Sequence, residues 1–152
     1  PYVDVNLHSV LDAGIEMLNK HPKFKKVNVE RYFESIPILR GDPVLLQQAF
    51  MNMLVNSAQA IEDKGIIKVE CKPISGMGRQ IMVSISDNGC GIPEEDLPRL
   101  FDPFFSTKKA EDGTGIGLSL AYWIIQDHGG RITVDSTFGN GTTITTFFPM
   151  KG

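Results

Sequence analysis

IIKVECKPISGMGRQIMVSISDNGCGIP, residues 66–93, holds two strand-like runs, a glycine turn between them, and an acid followed by two glycines. In 80–87, Ile81, Val83 and Ile85 fall on one face and polar residues on the other, the period of a half-buried strand. Residues 66–72 read as a second strand, and Gly76-Met77-Gly78 supplies the turn of a hairpin. Beyond Asp87 the chain from Asn88 to about Thr114 is rich in Gly, Pro and charge. That stretch is too long for a plain connector and predicts a functional lid.

Working outward, residues 116–127 predict a helix. Ile116, Leu120, Trp123, Ile124 and Asp127 lie on one side, and Leu118, Tyr122 and Ile125 on the other. His128-Gly129-Gly130 stops it. Residues 131–136 and 142–148 alternate as two more strands around Phe138-Gly139-Asn140-Gly141. Upstream, Asp42-Pro43 is a helix start, with an N-cap acid and proline at the first helical position. That helix should run to about Ile61, with Lys64-Gly65 ending it. Residues 27–33 alternate as a strand. Residues 7–18 place Leu7, Val10, Leu11, Gly14, Ile15 and Leu18 on one helical face. The basic run Lys20 to Lys26 reads as a solvated turn. Three long helices and five strands, with hairpins rather than strict alternation, predict an α+β two-layer sandwich.

The 152 residues predict one domain, 1–152. A net charge of −3 provides no basic field for nucleic acid or a membrane surface. Cys71 and Cys90 form no C-x-x-C pair, which argues against a zinc site and for a reducing, cytoplasmic setting. No apolar run approaches the ~18 residues of a membrane span. A chain that opens at Pro1, without Met or a signal peptide, is expected to be part of a longer protein, and the parent could be membrane-anchored.

Five motifs carry possible chemistry. Asn52 and Asn56 stack one turn apart on an otherwise apolar helix. Buried amides need partners; an oxygen-ligated Mg²⁺ carrying a nucleotide phosphate is one, and backbone groups are the other. Asp87-Asn88-Gly89-Cys90-Gly91-Ile92-Pro93 puts an acid at a strand end, where it suits an adenine amine or closes an Asx turn. Gly113-Thr114-Gly115-Ile116-Gly117-Leu118 runs into a helix, as an anion site or as a hinge. Phe101-Asp102-Pro103-Phe104-Phe105-Ser106-Thr107-Lys108 reads as a hydrophobic latch with cations beyond it, Lys108 and Lys109. Gly139-Asn140-Gly141-Thr142 is a tight turn, or places Thr142 beside Asp87 at a bound base.

In order and combination these motifs resemble the boxes of the sensor-histidine-kinase branch of the Bergerat-fold GHKL ATPases, nitrogen-regulation-type kinases being closest in style. Asn52-x-x-x-Asn56 resembles the N box, DNGCGIP the first glycine box, FDPFFSTK the F box, GTGIGLSL the second glycine box, and GNGT the last. The likeness implies a mixed five-stranded sheet on three helices, with ATP held between helices under a mobile lid. It implies Asn56 as the principal Mg²⁺ ligand with Asn52 nearby, and Asp87 on the adenine amine, supported by Thr142. Gly89, Gly91 and Ile92 would shape the base pocket. Gly113, Thr114, Gly115, Gly117 and Leu118 would wrap the phosphates, with Phe104 in the lid.

The gyrase, MutL and chaperone branches carry Glu where Asn52 stands, and an amide is no general base. Phosphoryl transfer to an external nucleophile is therefore expected over hydrolysis. A basic residue common three positions after the second Asn is Gln59 here, so the phosphate contact is assigned to Lys108. His8, His21 and His128 lack the context of a phosphoacceptor. That His is expected on a separate dimerising helical domain, with a response-regulator receiver as the onward partner. The chain alone is expected to be a monomer and its parent a homodimer. The alternatives are a nucleotide-sensing or docking module without transfer, and an ATPase.

Overall fold

Asn6 accepts a hydrogen bond from the His8 amide and so caps the first helix, α1, Leu7–Lys20. The computed structural model describes residues 2–76, 78–102 and 117–150. α1 buries Leu7, Val10, Leu11, Gly14, Ile15 and Leu18, the stripe its spacing predicts. Asp42 caps α2, Pro43–Gln59, its Oδ1 accepting from the Val44 and Leu45 amides at 3.1 and 3.2 Å. Pro43 costs nothing there, because the first helical N–H has no partner to lose. α3 is Gly117–Asp127.

Among the described residues seven strands accompany the helices: β1 Val3–Val5, β2 Val27–Phe33, β3 Leu39–Gly41, β4 Gly65–Gly76, β5 Gly78–Asp87, β6 Arg131–Ser136 and β7 Thr142–Pro149. Five form one mixed sheet in the order β2-β4-β5-β7-β6, with β2 and β4 parallel and the other neighbours antiparallel. Ile67, Val69, Cys71, Ile81, Val83, Ile85, Ile144 and Phe148 are fully buried on its inner face. Phe50 of α2 meets Phe148 edge-on at 6.2 Å. Each such side chain contributes about 1.5–3 kcal/mol by leaving water. The outer face is polar: Tyr32, Lys68, Glu70, Ser84, Ser86 and Thr143 line a shallow depression on it. This is the α+β two-layer sandwich the sequence predicts.

Several details differ from the expectation. β1 and β3 pair with each other and are three residues each, too short to show a period. β4 runs on to Gly76 through Pro73, which is possible because β2 pairs with β4 only as far as Cys71; beyond it the missing proline N–H leaves no ladder bond unmade. α2 ends at Gln59, with Ala60 as its cap. Glu94–Arg99 forms a 3₁₀ helix inside the expected lid stretch. α3 does not bury two faces. Leu118, Ala121, Ile124 and Ile125 are buried, whereas Trp123 is 71% exposed, because the other helices and the sheet cover only one side of it.

The two cysteines should react very differently. Burial in β4 pushes the Cys71 thiol up to about 12, while Cys90 is exposed. At pH 8 only about one Cys71 in 10⁴ is thiolate. A thiol reagent is therefore expected to modify one cysteine per folded chain and both after unfolding. Equal labelling of both in the folded chain would contradict this burial.

Candidate functional site

Antiparallel pairing sets Asp87 directly opposite Thr142, with Ile67 and Ser136 completing the row across four strands. Directly paired residues share a face, so Asp87 and Thr142 both point toward the helices, where each is buried. Ser136 ties this corner together. Its Oγ accepts from the Ile92 amide at 2.8 Å and donates to the Gly141 carbonyl at 3.1 Å. It also lies 2.8 Å from Thr142 Oγ1. A hydroxyl has one proton, so Thr142 is the donor in that third bond. The lone pairs of Thr142 Oγ1 then remain as acceptors next to the Asp87 carboxyl. Two adjacent acceptors suit an amino group and repel a carbonyl.

The loop after Asp87 is held by its own backbone. The Gly89 amide donates to Asp87 Oδ1 at 2.8 Å, and Asn88 Oδ1 accepts from the Ile66 amide at 2.9 Å. The Cys90 amide donates to the Ala60 carbonyl at 3.0 Å, and the Cys90 carbonyl accepts from the Gly139 amide at 2.6 Å. The end of α2, the loop and the β6–β7 turn are thus bonded to one another. A Cβ on Gly89 would come within 2.5 Å of the Ala60 carbonyl oxygen, and one on Gly91, at φ +77°, would run into the Thr137 carbonyl. These glycines are required first by backbone meeting backbone, rather than by backbone meeting a ligand.

α2 packs against both β5 and α3. Asn52 and Asn56 lie one turn apart on it, both half-buried. Just inside them Ser57 is fully buried, and its Oγ has no hydrogen-bond partner among the described residues. Gly117 and Leu118 open α3, Leu118 being buried. Phe101 stacks on Tyr122 at 5.1 Å, so the first aromatic of the expected latch does pack on α3. Phe104, Lys108, Gly113, Thr114 and Gly115 lie outside the described residues.

The donor set fits a nucleotide better than a resident metal. No three His, Cys, Asp or Glu side chains come together among the described residues. Two amide oxygens alone would leave Mg²⁺ underligated, and phosphate oxygens would complete its shell. Sequence reasoning missed Ser136 and Ser57. A lone serine at a strand end or within a helix gives no periodic or spacing signal; only the strand register and the burial expose these two.

Ser136→Ala removes all three of its bonds and orphans the Ile92 amide. A loss of about 1–3 kcal/mol is expected, read as a lower thermal midpoint. A change of under about 0.5 kcal/mol, the level of an ordinary surface substitution, would mean the corner does not depend on Ser136.

A mixed five-stranded sheet beneath three helices, with paired amides on one helix and an acid–glycine loop at the sheet end, defines the class of histidine-kinase-type ATP-binding domains. The chain belongs to the family described as "Histidine kinase-, DNA gyrase B-, and HSP90-like ATPase", which matches residues 41–152. It is similar to the sensor histidine kinase ZraS of Escherichia coli (31% identical, 97% of this chain) and to sporulation kinase B of Bacillus subtilis (33%, 95%). It spans 31% and 33% of those proteins, about a third of their length. Among solved structures it resembles the mycobacterial sensor histidine kinase MprB, with a TM-score of 0.86, 25% identity, and 98% of this chain and 97% of that one covered. It also resembles the catalytic domain of histidine kinase ThkA, with a TM-score of 0.83, 25% identity, and 98% and 95% covered. The chain is thus a catalytic, ATP-binding domain of the histidine-kinase type. No helix among its described residues is long and apolar enough to cross a membrane.

Proposed function

We propose that this domain binds Mg-ATP and transfers the γ-phosphate to a histidine on a separate helical domain, from which a response-regulator receiver takes it. The observation that carries this reading is the pair of amides, Asn52 and Asn56, on one face of α2. They offer oxygens to a metal and no carboxylate to activate water. Bound Mg²⁺ would neutralise charge on the phosphates. The residues of this chain hold and orient: Asp87 and Thr142 accept from the adenine amine, and Asn56, with Asn52 beside it, ligates the metal. Gly89, Gly91 and Ile92 shape the base pocket. Gly113, Thr114, Gly115, Gly117 and Leu118 wrap the phosphates, with Phe104 and Lys108 contributing from the lid. The domain alone would be a monomer, and its parent a cytoplasmically acting homodimer assembled through other segments.

Fusing the chain to the dimerisation helices of ZraS and supplying γ-labelled ATP tests the proposal. Acid-labile, base-stable label on the helical histidine is expected, with negligible phosphate release. Steady phosphate release by the chain alone would favour an ATPase. Nucleotide binding with neither product would favour a sensing module.

A further inference from the structure

His128 follows the last residue of α3, and its ring reaches the start of α2. Nε2 accepts a hydrogen bond from the Asp42 amide at 3.0 Å. Nδ1 lies 2.8 Å from the Ile124 carbonyl oxygen. A backbone amide only donates and a carbonyl only accepts, so these contacts fix the tautomer: Nδ1 carries the proton and Nε2 is bare. The ring is covered on one face and abutted along its Cδ2–Nε2 edge. Tyr2 stacks on it at 4.7 Å with planes 9° apart, and a Cβ on Gly41 would come within 2.8 Å of its Cδ2. Tyr2 is itself anchored, its hydroxyl donating to the Asp127 carbonyl at 3.0 Å.

Both ends of this bridge belong to walls of the nucleotide cleft. Asp42 is the N-cap of α2, which carries Asn52 and then Asn56, about 20 Å along the helix axis from the cap. α3 begins at Gly117 and ends at Asp127, the residue before His128. Apolar packing between two helices is non-directional and tolerates a small slide; two hydrogen bonds to one aromatic ring do not.

We propose that His128 is a positioning residue for the nucleotide site: its ring, locked as the Nδ1–H tautomer, ties the start of α2 to the end of α3 and so fixes how α2, with Asn52 and Asn56, sits against α3. This rests on the nucleotide-binding reading above. His128 touches no ligand and acts through the two helices. A packing role alone would need only a ring, which phenylalanine supplies with the same stack on Tyr2.

His128→Phe and His128→Gln separate the two roles. Each variant is titrated calorimetrically with Mg²⁺ and a non-hydrolysable ATP analogue at a temperature where thermal unfolding shows it folded. The Phe variant is expected to bind about tenfold more weakly. The Gln variant, whose side-chain oxygen accepts from the Asp42 amide, is expected to recover most of that loss. A Phe variant that binds like the parent overturns the proposal, as does a Gln variant no better than Phe. Heteronuclear correlation of the ring nitrogens in the unsubstituted chain needs no folded variant and is expected to show Nδ1 protonated; the opposite tautomer overturns the proposal. A parent chain that binds no nucleotide fails the functional reading instead. The tie is then read by amide hydrogen exchange, expected to quicken across Asn52–Asn56 in the Phe variant; unchanged exchange there overturns it.

Discussion

Asp87→Asn is expected to weaken binding of an ATP analogue by about 30–100-fold while the unfolding temperature stays within a few degrees of the parent. The two effects separate because the two oxygens of the acid do different things. Oδ1 accepts from the Gly89 amide at 2.8 Å, and an asparagine oxygen keeps that bond and the loop with it. The other position becomes an NH₂ group. It would face the adenine amine donor to donor, where the parent offers an acceptor beside Thr142. Losing a charge-assisted hydrogen bond and leaving donors unpaired in a buried corner costs about 2–3 kcal/mol. Calorimetric titration with melting curves reads both quantities. Unchanged affinity in a natively folded variant would remove Asp87 from the base pocket.

Gly141→Ala should have the largest effect on stability. Gly141 sits at φ +92°, and a Cβ there would run into the Asp87 carbonyl. The left-handed backbone costs an alanine about 1–2 kcal/mol. The collision is with strand backbone, which yields only if the ends of β5 and β7 separate. A total of about 3–4 kcal/mol and a fall of roughly 10 °C in Tm are expected. Gly129→Ala is the control: its φ is +73°, but the space around it is open. It should show the conformational cost alone, and the difference between the two variants isolates the collision. Equal losses would mean that the β6–β7 turn does not press on Asp87. Nucleotide affinity should fall with Gly141→Ala and hold with Gly129→Ala.

The layers of the fold were legible wherever an element was long enough to show a period. Val27–Phe33 and Arg131–Ser136 are bounded as their alternation predicts, and Asp42-Pro43 marks the start of α2 by its capping chemistry. The paired short strands β1 and β3 were not legible, because three residues carry no period and their pairing is a tertiary fact. The faces of α3 were misread for a related reason. Trp123 and Tyr122 are apolar yet lie on the side that neither sheet nor helix covers, and hydrophobicity alone does not say which face is covered. At the site, Asp87 and Thr142 were picked from separate motifs, and the register brings them together. The bonds that hold them there come from Ser136 and the Ala60 carbonyl, which belong to no motif. His128 read as the stop of α3. It is that, and it also fills the amide of the cap at the other end of α2, a contact across 86 residues that no local pattern encodes.

The central claim is a magnesium-dependent pocket selective for adenine. Its most direct test is calorimetric titration of this chain with a non-hydrolysable ATP analogue, with and without Mg²⁺, beside the corresponding GTP analogue. The predicted result is binding of the ATP analogue that tightens when Mg²⁺ is added, with the GTP analogue weaker by an order of magnitude or more. Equal binding of the two analogues, or no binding of either at millimolar concentration, would contradict it.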